Sequence, residues 1–73
     1  MNVGKTIKTI REEQGLSRRE LAEKLGIKPS SLWKVETAHV YPKKATIDKF
    51  CAVTRTPTAR LYVESLEKED YQC

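Results

Sequence analysis

Ser30 and Lys34, four residues apart, put a hydroxyl and an ammonium on the same side of a helical segment. Pro29 and Trp33 repeat that spacing beside them. With Leu32 and Val35 turned inward, all four fall on one exposed stripe. The chemistry open to such a stripe is contact with the edges of nucleic-acid bases. A lysine ammonium donates to O6 and N7 of a guanine, which is worth about 1–3 kcal/mol of discrimination. It serves a phosphate nearly as well. A serine hydroxyl donates to or accepts from several bases and specifies weakly alone. Pro29 has no donor, so its ring can only pack on a thymine methyl or a sugar. Trp33 has three uses open to it: the nucleic-acid backbone, a thymine methyl, or a return onto its own protein.

Cations flank the stripe. Arg18, Arg19, Lys28, Lys43 and Lys44, with the phenol of Tyr41, suit phosphate oxygens, contacts that fix register without reading sequence. Residues 16–44 hold seven Lys/Arg against three Glu, a local +4. Residues 64–73 hold four acids and one Lys, a local −3. A merely solvated basic face would have the same composition.

Two helices must position these groups. Leu21, Ala22, Leu25, Gly26, Ile27, Leu32 and Val35 occupy the places where helices crossing at a tight turn need buried residues. Ala22 must be small, because the second helix of the pair crosses there. Gly26 takes positive φ, which a residue with a β-carbon adopts at a cost of order 1 kcal/mol. The pattern is that of a helix-turn-helix, whose second helix is presented to the DNA major groove.

The remaining signals are helical too, and no stretch alternates as a strand would. A first helix runs from about Val3 to Gln14, with Val3, Ile7 and Ile10 on one face and Gly15 closing it. Ser17 and Glu20 form a capping box, with Leu16 and Leu21 as a hydrophobic staple, so a second helix spans Arg18 to Leu25. The third begins at Lys28 or Pro29 and continues to about Glu36. Proline suits a first helical position, whereas Lys28 is a poor cap because its side chain has no acceptor. A loop, Thr37 to Lys43, carries Tyr41 and Pro42. The fourth helix runs from about Lys44 to Thr54, with Ile47, Phe50, Cys51 and Thr54 inward. Thr56 is expected to cap a fifth that begins with Pro57, anchored by Leu61 and Leu66. The expected architecture is an all-α, five-helix bundle over residues 1–66, followed by an acidic, frayed end at 67–73.

Other chemistries find no footing. A chain of 73 residues makes one small domain and buries only about 60 % of its unfolded surface. His39 is the lone histidine, and no paired carboxylate in a credible cleft, phosphate-cradling glycine loop or metal cluster accompanies it. No enzyme activity, cofactor, metal or small-molecule ligand is expected. Cys51 falls in an apolar helical phase and reads as a small core residue, while Cys73 has no assignable role. The N-terminus has no apolar signal segment, and no stretch approaches the roughly 20 apolar residues of a membrane span. The expected location is cytoplasmic.

The run LSRRELAEKLGIKPSSLWKVE at 16–36 resembles the Xre family, which includes phage repressors and Cro-like proteins. The likeness continues ungapped through Pro42 and TIDKFCAV at 46–53 to Leu61. It implies a lambda-repressor-like bundle and a repressor-like transcriptional regulator that binds specific double-stranded DNA as a homodimer. It places Arg18 on a phosphate at the start of the second helix, and Pro29, Ser30 and Lys34 at base-reading positions. Arg11 and Glu36 match a partly buried ion pair tying the first helix to the end of the third. The chain departs from the family at Lys28, where a polar cap is usual, and at Ala38 and Arg55, where glycine is usual. A different course for the loop after the third helix is therefore expected. Trp33 stands where small or polar residues are more common. For self-association only the fifth helix, with Leu61, Tyr62 and Leu66, offers an apolar patch. A reading from another class stands beside this one: a protein-interaction module, such as an antitoxin or adaptor, that keeps the fold.

Overall fold

The computed structural model describes residues 3–37 and 40–67. They form α1 (Val3–Glu13), α2 (Arg18–Leu25), α3 (Pro29–Thr37), α4 (Lys44–Thr54) and α5 (Thr58–Glu67), with no strand among the described residues. Three of these helices end in the same way. Gly15, Gly26 and Arg55 take left-handed backbone, with φ of 69°, 71° and 55°. The amide that follows each then donates back. Leu16 N reaches the Arg11 carbonyl at 3.1 Å, Ile27 N that of Ala22 at 3.0 Å, and Thr56 N that of Cys51 at 2.9 Å. These bonds satisfy carbonyls that a helix end leaves free. Arg55 does this with a β-carbon, at a cost of order 1 kcal/mol.

The start of α2 is fixed locally. Glu20 N donates to Ser17 Oγ at 3.0 Å, and Ser17 N donates back to Glu20 Oε1 at 2.9 Å. The Ser17 backbone N–H, followed by its hydroxyl, holds the Glu20 carboxyl below its ordinary value. At Gly26 an added β-carbon would meet only Lys49 Nζ, at 3.6 Å. Conformation, not space, requires glycine there.

The core is one cluster. Val3, Ile7 and Ile10 of α1 meet Leu21, Ala22 and Leu25 of α2, Leu32 and Val35 of α3, Ile47, Phe50 and Cys51 of α4, and Leu61 of α5. Leu16, Ile27, Val53 and Tyr62 pack partly buried against it. α1 touches the end of α3 directly, since a β-carbon on Gly4 would overlap the Val35 carbonyl oxygen. That close approach has no counterpart in the helical pattern of the sequence.

Several expectations need correction. α1 stops at Glu13, although Gln14 N still donates to the Ile10 carbonyl at 3.1 Å. α5 starts at Thr58, one residue late, with Leu61 N donating to the Pro57 carbonyl at 3.2 Å. Thr56, the expected cap, is buried with its hydroxyl 2.9 Å from that of Thr54. Leu61 is fully buried and so cannot belong to an association patch, whereas Val63 of the same helix is exposed. The side chain of Leu66, the loop residues Ala38 and His39, and the acidic end beyond Glu67 lie outside the described residues. No helix among the described residues is long and apolar enough to cross a membrane.

Candidate nucleic-acid interface

The inner side of α3 is anchored and the outer side is not. Leu32, Val35 and Glu36 are buried, while Pro29, Ser30, Trp33 and Lys34 are exposed. Trp33 keeps 49 % of its surface in solvent. Its carbonyl accepts from the Thr37 hydroxyl at 2.7 Å, which tightens the last turn. At the first turn, Ser31 N and Leu32 N both donate to the Lys28 carbonyl, at 3.0 and 3.2 Å.

A buried carboxylate sets the position of α3. Glu36 Oε2 accepts from Arg11 Nε at 2.8 Å, and Oε1 accepts from Arg11 Nη2 at 3.2 Å and from Arg18 Nε at 3.0 Å. Arg11 Nη1 also donates to the Leu16 carbonyl at 2.9 Å. One carboxylate thus joins α1, the turn after it, the start of α2 and the end of α3. Two guanidinium groups against one carboxylate leave a surplus positive charge. The Arg18 side chain, 33 % exposed, carries that charge to the surface. The Arg18–Glu36 bond is absent from the expectations, though Glu36 is the lone acid between Glu23 and Asp48 and so the natural partner for more than one cation.

The flanking cations differ in freedom. Arg19 lies 3.7 Å from Glu23, both well exposed. Lys44 Nζ donates to Asp48 Oδ2 at 2.9 Å, and that bond raises the lysine pKa above its ordinary value. Lys28, Lys34 and Lys43 are exposed and form no ion pair with the described residues. Lys43 precedes α4 without a side-chain cap bond. Tyr41 is exposed, yet partial desolvation pushes its phenol above the usual value, with the Tyr62 hydroxyl of α5 adding to the shift.

Lys34, Tyr41 and Lys43 are brought together along a groove of about 330 Å³, lined also by Ser31, Val40 and Thr46. Val40 and Thr46 have no place among the expected site residues. The Val-Tyr-Pro run at 40–42, apolar within a loop, is the signal that points to Val40, and no sequence signal points to Thr46. Among the described residues no group of three or more His, Cys, Asp or Glu could hold a metal ion.

The fold has known counterparts. Two crystal structures of the clp gene regulator ClgR from Corynebacterium glutamicum superpose with TM-scores of 0.85 and 0.87, at 21 % and 20 % identity. They cover 90 % and 96 % of this chain, and 70 % and 91 % of theirs. At that identity the likeness is one of fold. A SinR protein/SinI protein complex contains a chain 34 % identical, with a TM-score of 0.79, covering 96 % of this chain and 69 % of its own. No curated protein sequence matches. The family model described as a helix-turn-helix domain matches residues 2–61, and the chain belongs to that family.

Proposed function

We propose that this protein is a sequence-specific transcriptional regulator, repressor-like, that binds double-stranded DNA with α3 in the major groove. The observation that carries the proposal is the outer face of α3, where Ser30 and Lys34 are exposed beside Pro29 and Trp33 while the opposite face is anchored. Lys34 and Ser30 read base edges, and Pro29 and Trp33 pack on thymine methyls or sugars. Arg18, Arg19, Lys28, Tyr41, Lys43 and Lys44 hold phosphates, Lys28 and Lys43 with the least to give up. Arg11, Glu36, Ala22 and Gly26 act structurally, by fixing α3.

In this reading two copies bind a pseudo-palindrome with half-sites about one helical turn apart. Tyr62 and the exposed Val63 of α5 supply the contact between them. A regulator of this kind works in the cytoplasm and needs no cofactor.

Salt titration tests the proposal. Log affinity for duplex DNA should fall linearly with log salt, with a slope near −0.9 per phosphate neutralised. Lys43→Ala should weaken binding to all sequences alike and reduce the slope by about one. Three exposed apolar residues, Trp33, Val40 and Tyr41, favour a second reading as a protein-binding module. A shallow salt slope, with no duplex preferred, would support that reading instead.

A further inference from the structure

The groove beside α3 joins two chemistries. Ile27, Val35, Val40 and Pro42 make its apolar walls, and the exposed Lys34 and Lys43 bring two ammonium groups to it. Its last wall residue, Tyr41, lies against Tyr62 of α5. α5 packs against α1, and an ion pair between them orients it while a second contact ties α1 to the groove. Arg60 Nη2, near the start of α5, meets Glu13 Oε1 at the end of α1 at 3.1 Å. Gly4, at the other end of α1, abuts the Val35 carbonyl beside the groove. The end of α5 therefore lies on the groove's side of the molecule.

Residues 68–73, KEDYQC, continue from there. α5 rises only about 7.5 Å between Tyr62 and Glu67. Tyr71 stands four residues beyond Glu67, an extended span of up to about 14 Å, so its ring can turn back past the level of Tyr62 to Tyr41. Its composition complements the groove. Glu69 and Asp70 set two carboxylates beside the aromatic ring of Tyr71, within the stretch 64–73 of local charge −3. The groove sets two ammonium groups beside an apolar wall.

We infer that residues 68–73 dock in this groove when DNA is absent, with Tyr71 on the apolar wall and Glu69 and Asp70 facing Lys34 and Lys43. Docked there, the segment occupies two lysines that DNA would use and so weakens duplex binding. Only this competition rests on the DNA-binding reading. The docking itself does not.

The test uses the full chain with Cys51→Ala, leaving Cys73 as its single thiol, to which a nitroxide is attached. Amide resonances of Val40, Tyr41 and Lys43 should broaden, those of Lys24 in α2 should not, and raised salt should relieve the effect. Broadening confined to α5 refutes the docking without touching the DNA reading. So does broadening seen only when a labelled chain is mixed with an isotopically labelled one, which would mean that a second copy fills the groove. Glu69→Gln with Asp70→Asn should abolish the broadening and raise affinity for a duplex pool about fivefold, the lower end of ordinary coupling between sites. Tyr71→Ala, which leaves the charge unchanged, should act in the same direction. If the charge variant alone raises affinity, a long-range field is the cause and the docking is refuted. Duplex binding absent from every variant, with the broadening intact, would sink the DNA reading and leave the docking standing.

Discussion

The two faces of α3 contrast in what holds them. Inward, Leu32 and Val35 join the core and Glu36 gathers three hydrogen bonds from two arginines. Among the described residues no buried side-chain nitrogen or oxygen lacks a partner. Outward, Pro29, Ser30, Trp33 and Lys34 meet solvent, and Lys34 forms no ion pair with the described residues. Apart from Arg18, whose side chain is one-third exposed, the free energy that positions the helix thus comes from side chains that could not touch a duplex. The outer face is left to be specified by whatever it meets, so substitutions on the two faces should separate stability from recognition.

The largest effect should come from breaking the inner face. Glu36→Ala strands the buried Arg11 guanidinium and should cost about 3–5 kcal/mol in chemical denaturation. Gly4→Ala attacks the same anchorage by forcing α1 away from the Val35 carbonyl, and should cost about 1–3 kcal/mol by the same measurement. Arg55→Gly removes left-handed strain far from α3, and should stabilise by about 1 kcal/mol with DNA affinity little changed. The smallest effect concerns pH. Glu20 has its folded-state pKa below the ordinary 4.5, so its support of α2 is complete above that value. That support is lost as pH falls through the folded-state pKa. Glu20→Gln should therefore flatten the stability profile on the acid side, read from thermal melts at stepped pH.

Legibility in the sequence followed the range of the interactions. Ser17 and Glu20 bond across three residues, and Gly26 answers to its own φ, so both ends of α2 could be read from the chain. The inward faces of α1 and α4 were equally legible, because periodicity alone sorts Ile7 and Ile10 or Ile47 and Phe50 to one side. The Arg18–Glu36 bond, the Gly4 contact and the groove depend on segments far apart in sequence that meet only after packing. Arg55 shows tertiary context overriding residue preference, since the backbone keeps the conformation that glycine usually supplies. At α5 the sequence offers Thr56 as a cap directly before Pro57, but the helix starts one residue later, at Thr58, and the Thr56 hydroxyl is buried against that of Thr54. On the candidate site, the exposed stripe was legible from the helical period. The pairing of Arg19 with Glu23 and of Lys44 with Asp48 lay within reach of the same period, since each joins residues four apart on one helix, whereas the Arg18–Glu36 pair joins two helices and did not.

The central claim, that the side of α3 facing solvent chooses the operator, is most directly tested by selecting duplexes from a random pool with the native chain and with Lys34→Ala. An inverted repeat should emerge from the native protein, and the variant should lose preference at one position in each half-site, by about 1–3 kcal/mol, while its melting remains close to native. Identical base preferences from the two proteins would contradict the claim.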